Sequence, residues 1–177
     1  MNAKLQAQFN GLEKSRKDLF NDLRSYDDEV FNKKPSPKAW SIAQVIEHLV
    51  IAEEASLKYL QKKTLDTSKV PVAGLGSKWR FMLTNTVFVL NISFKAPPVM
   101  SPPESFVTTR QLEQRWAKVR ADTFELLNKL PEEDLKKEIW KHVISGKMNI
   151  YQMYSFFNIH FNRHRKQVYR TVAEVIL

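Results

Sequence analysis

Three times along this chain a polar residue is followed, three positions later, by a glutamine, and a run of apolar residues at helical spacing comes next. The pairs are Ser41 with Gln44, Thr108 with Gln111, and Asn149 with Gln152. Each is a capping box, in which the two side chains satisfy backbone N–H groups that the first helical turn leaves without partners. Two are reinforced by a hydrophobic staple, Trp40 with Val45 and Met148 with Met153. A chain punctuated this way is committed to long helices. Its four glycines and its prolines fall mainly between the periodic segments.

Apolar spacing places the helices. Leu5, Phe9, Leu12, Leu19 and Leu23 predict an amphipathic helix over residues 3–24. Residues 25–40, with Pro35 and Pro37, read as a loop. From Ser41 to about Lys63 a stripe of Val45, His48, Ala52, Ala55 and Tyr59 runs beside Ile42, Ile46 and Leu49. Residues 64–77 read as a second loop, its Gly74-Leu75-Gly76 being a turn rather than a dinucleotide motif. Ser77 is placed to cap a third helix over 78–94, apolar on most sides and expected to be well buried. After the proline-rich crossover APPVMSPPES, a fourth helix carries Leu112, Trp116, Val119, Thr123, Leu126 and Leu130 up to Pro131. Residues 131–147 read as one helical turn followed by a turn at Gly146. The last helix has its stripe at Ile150, Met153, Phe157, His160, His164, Val168, Thr171 and Val175. The fold expected is all-α: an up-down four-helix bundle with one extra short helix, residues 1–177 forming one domain.

His160 and His164 stand four residues apart, so their side chains leave one helix face together, on a stripe where hydrophobes are expected. His48 occupies the core stripe of another helix. Three buried imidazoles each need a partner, since an unpaired buried polar group costs about 1–3 kcal/mol. One metal ion would satisfy all three, and the small Ala52 and Ala55 leave room beside His48. Three histidines with open positions are the ligand pattern of a catalytic rather than a structural metal. The chain has no cysteine, which excludes thiolate ligands and a thiol nucleophile of its own. The expected metal ligands are therefore His48, His160 and His164, with zinc or nickel as the ion. His142 reads as a loop histidine outside this set. Glu47, Glu53 and Glu54 flank His48 and read as solvated.

The segments W-S-I-A-Q-V-I-E-H-L-V-x-A-E at 40–53, K-H-V-I-S-G-K-M-N-I-Y-Q at 141–152 and H-F-N-R-H-R-K-Q at 160–167 resemble the DinB/YfiT-like superfamily over nearly the whole chain. The resemblance implies a four-helix bundle whose metal is held at the positions of His48, His160 and His164. It also implies metal-dependent chemistry on a small molecule, thiol transfer with a low-molecular-weight thiol cosubstrate or hydrolysis. The family often has a histidine-proline pair where this chain has His142-Val143, which leaves the triad intact. A helical ligand- or partner-binding protein with structural histidines is the alternative.

The net charge of +9 is dispersed and accompanies no zinc-finger, basic-zipper or RNA-recognition signature, so no nucleic-acid partner is expected. The N-terminal segment lacks the apolar core of a signal peptide, and the apolar stretch at 81–92 is too short to cross a bilayer. A cytoplasmic protein without a membrane partner is expected. The broad apolar third segment suggests a homodimer.

Overall fold

All three capping boxes form. Backbone N–H groups of Gln44, Gln111 and Gln152 donate to Ser41 Oγ, Thr108 Oγ1 and Asn149 Oδ1 at 3.2, 3.2 and 2.9 Å. The three glutamine Oε1 atoms accept in return from the cap N–H groups. The structure is a computed structural model that describes residues 2–89, 101–142 and 146–176. The boxed helices are α3 (Ile42–Lys63), α5 (Thr109–Asn128) and α7 (Ile150–Ile176), and α1 (Ala3–Leu23) completes a bundle of four.

Polar contacts between helices fix their directions. Asn2 meets Tyr151 and Asp22 meets Tyr169, so α1 and α7 run the same way. Arg120 Nη1 donates to Leu12 O and Arg16 Nη1 to Glu113 O, which sets α1 against α5. Glu47 and Glu53 of α3 meet Arg115 and Arg120 of α5 in the same order along both helices, so those two are parallel. α3 packs on α7 in the opposite sense, His48 beside His160 and Leu60 in one apolar cluster with Met153. The helices thus run up, down, down, up, and the connection from 64 to 108 returns the chain along the bundle.

That connection contains α4 (Leu75–Val89), which packs on α7 and differs from expectation in two ways. It begins at Leu75, so Gly76 and Ser77 lie inside it, and Ser77 Oγ donates to Gln152 Oε1 at 2.6 Å instead of capping. One flank is also open, with Leu75, Trp79 and Leu83 at 75%, 61% and 60% exposure. The bundle core is already filled by its four long helices, so α4 buries only the opposite side, including Ser77 and Thr84. The expected continuation to residue 94 lies outside the described residues.

Short elements interrupt the expected loops. Asp27 caps a five-residue helix, α2 (Asp28–Asn32), by accepting from Val30 N–H at 2.8 Å, and this helix seats Phe31 in the core. After the short α6 (Glu132–Leu135), β1 (Trp140–His142) pairs antiparallel with β2 (Gly146–Met148). Gly146, the first residue of β2, has φ of 79°, a left-handed conformation that glycine adopts without steric cost. Among the described residues no helix is long and apolar enough to cross a membrane.

The carboxylates beside His48 are paired, and Glu47 and Glu53 are buried, contrary to the expectation of solvation. Glu53 receives two hydrogen bonds from the Arg120 guanidinium, at 2.8 and 2.9 Å. Arg120 is 4% exposed, also meets Glu13, and lies over the Trp116 ring. Arg115 holds Glu47 at 2.8 Å and grips Glu54 with two nitrogens. Glu47, Glu53 and Arg120 occupy core positions that a purely apolar stripe would give to hydrophobes.

Removing one side of such a pair leaves the other charge buried. Arg120→Leu is expected to cost about 3–5 kcal/mol in urea unfolding, and adding Glu53→Leu should recover most of it. A single-variant cost below about 1 kcal/mol would show that the pair is solvated in solution.

Candidate metal centre

The site lies where α3 crosses α7. His48 stands two turns into α3, and the staple residue Trp40 packs against its ring, centroids 5.3 Å apart. On α7, His160 is buried and stacked on Phe156, one turn earlier, at 5.3 Å and an interplanar angle of 18°. His164 follows one turn later, half-buried at the edge of the seam. Ring centroids are 5.2 Å apart for His48 and His160, 4.8 Å for His48 and His164, and 4.6 Å for His160 and His164.

One nitrogen from each ring falls in a common space, all three lying within 4.8 Å of one another. His48 Nε2 and His160 Nε2 are 3.2 Å apart. Two nitrogens bound at about 2.1 Å to one ion, with angles between octahedral and tetrahedral, stand about 3.0–3.4 Å apart. The pair therefore already has the spacing of two ligands of a single ion. The 4.8 Å limit on the whole set leaves a small ring movement to close the site. His164 Nδ1 lies 2.9 Å from Gln167 Oε1, one turn further along α7. The donor set, three imidazoles and no thiolate, suits zinc, nickel or another first-row divalent ion.

The seam also disfavours protonation, as metal binding requires. Burial holds His160 well below the ordinary histidine range, and the neighbouring His164 and His48, then His142 and Arg163, push the same way. His164 is lowered to about 3, by burial first and then by His48, against a smaller opposing effect of Gln167. His160 and His164 are thus neutral at physiological pH, each with a lone pair to offer.

The structure brings together the three histidines expected as ligands. His142 does not join them, but it is a buried strand residue rather than a loop residue. Its ring packs against Phe156 at 4.4 Å and Trp140 at 5.9 Å, and burial lowers its pKa to about 4. The alternation of buried Trp140, exposed Lys141 and buried His142 was available as a signal, though three residues are too few to read as a strand. Ala52 and Ala55 are half-buried, and the fully buried line beyond His48 instead passes through Glu53, Leu57 and Leu60.

These shifts set a pH dependence for the metal-free protein. The folded state resists protonation of His142, His160 and His164, whereas the unfolded chain takes up protons near the ordinary value of 6.5. Their contribution is fully present above that value and is lost as pH falls from about 6.5 toward 3. Chelator-treated protein should show a falling urea midpoint across this window, and the fall between pH 6.5 and 5 should shrink in His142→Phe. A midpoint that is flat from pH 7 to 4 would contradict the assigned burial.

The profile of the DinB superfamily matches residues 11–168, a span that includes His48, His160 and His164. A similar protein, "Uncharacterized protein YuaE" of Bacillus subtilis (strain 168), is 26% identical over 154 residues, covering 87% of this chain and 90% of that one. The match runs from the first bundle helix into the last, and on it the chain belongs to the DinB superfamily.

Proposed function

We propose that this protein is a metal-dependent enzyme that acts on a small molecule at the α3–α7 seam, with His48, His160 and His164 as its metal ligands. The observation that carries the reading is the convergence of three buried or half-buried imidazoles, two of them with Nε2 atoms at 3.2 Å. A divalent ion held by three neutral ligands keeps its full charge and draws the pKa of a water or thiol toward neutrality. Thiol transfer and hydrolysis are the reactions that fit such a site. The chain has no cysteine, so a thiol nucleophile would come from a low-molecular-weight cosubstrate.

The protein's own contribution is positional and electrostatic. Burial keeps His160 and His164 neutral. Trp40 and Phe156 confine the rings of His48 and His160. Glu47, Glu53 and Glu54 are tied to Arg115 and Arg120, so no general base is assigned among them. The alternative, a non-catalytic helical binder with structural histidines, accounts for the His48–His160 contact. It gives no reason for a third imidazole placed against both.

Untagged protein, stripped with chelator and reconstituted, is expected to retain about one equivalent of zinc or nickel. His160→Ala should abolish tight binding and leave helicity unchanged, because the core does not depend on the ion as a zinc finger does. The ion should raise the melting temperature of the parent alone, by about 2.7 kcal/mol of stabilisation at a hundredfold excess over Kd. No stoichiometric metal, or an equal thermal response in both proteins, would remove the proposal.

A further inference from the structure

We infer that Gln167 is a positioning residue that decides which nitrogen His164 presents to an ion. The inference rests on the metal reading above and extends it to a residue outside the ligand set. Gln167 lies three residues after His164 on α7, so both side chains leave neighbouring positions of one helix face. Its Oε1 is 2.9 Å from His164 Nδ1. An amide oxygen can only accept, so the hydrogen of the neutral ring sits on Nδ1. The lone pair is then on Nε2.

This matters because a neutral imidazole free in water favours the opposite tautomer, with hydrogen on Nε2 and its lone pair on Nδ1. Gln167 reverses that preference at the one ligand that is half-exposed and least confined by aromatic neighbours. His48 and His160 are restrained by Trp40 and Phe156 and turn their Nε2 atoms toward each other. With His164 fixed in the same sense, the site offers a uniform set of three Nε2 donors. A hydrogen bond to the remote ring nitrogen also raises the basicity of the coordinating one.

Two substitutions separate this role from packing. Gln167→Met keeps the length and helix propensity but removes the acceptor, whereas Gln167→Glu keeps an acceptor and strengthens it. Nitrogen-15 correlation spectra of the metal-free parent should show His164 with hydrogen on Nδ1. Gln167→Glu should keep that tautomer, and Gln167→Met should shift it toward Nε2–H. In chelator competition, Gln167→Met should hold Zn²⁺ about 10–100-fold more weakly than the parent, with Gln167→Glu at least as tight as the parent. Helicity and metal-free melting should be the same in all three. The inference is overturned if the parent carries the Nε2–H tautomer, or if Gln167→Met leaves both the tautomer and the Zn²⁺ affinity unchanged. If the parent takes up no Zn²⁺, the functional reading fails by itself, and the tautomers of parent and Gln167→Met still decide the role of Gln167.

Discussion

Placing three imidazoles in one low-dielectric seam brings their lone pairs together and makes His160 and His164 costly to protonate. Burial lowers the proton affinity of His160 and His164, and each ring discourages charge on the next. The seam favours the neutral form of both rings, which is the state a divalent ion binds. The packing of α3 on α7 produces that juxtaposition, so the accuracy of this single helix contact governs the site.

α3 does two opposite things on its two sides. Toward α7 it turns His48. Toward α5 it turns Glu47, Glu53 and Glu54, which Arg115 and Arg120 neutralise. Carboxylates one, five and six residues from His48 are thereby tied to cations on another helix, away from the imidazole seam. The same ion pairs set α3 and α5 in parallel register. The up, down, down, up order follows, because a parallel neighbour requires a long return. Part of that return is α4, anchored where Ser77 meets Gln152 in the capping box of α7. A cap, a crossover and the start of the histidine-bearing helix thus meet at one glutamine.

Much of this was legible in the sequence because helix starts are written locally. Ser41–Gln44, Thr108–Gln111 and Asn149–Gln152 each specify a boundary within four residues, and His160 with His164 specifies a face by spacing alone. What escaped was written in pairs distant along the chain. Glu53 and Arg120 sit on core lines as charges, and a hydrophobic period cannot see a core position filled by an ion pair. The β1–β2 hairpin has three-residue strands, too short for alternation to register. α2 had a usable signal in Asp27 followed by acidic Asp28 and Glu29, which favour a helix N-terminus. The apolar α4 reads as buried, yet burial depends on what remains uncovered once the four long helices have packed.

The central claim is that one ion is held by imidazoles of both α3 and α7. X-ray absorption at the metal edge of the reconstituted protein measures this directly. The account predicts a first shell at about 2.0–2.1 Å with outer-shell scattering from three imidazole rings, falling to two rings in His48→Ala if the ion stays bound. A first shell of oxygen alone, or a spectrum unchanged by His48→Ala, would contradict it.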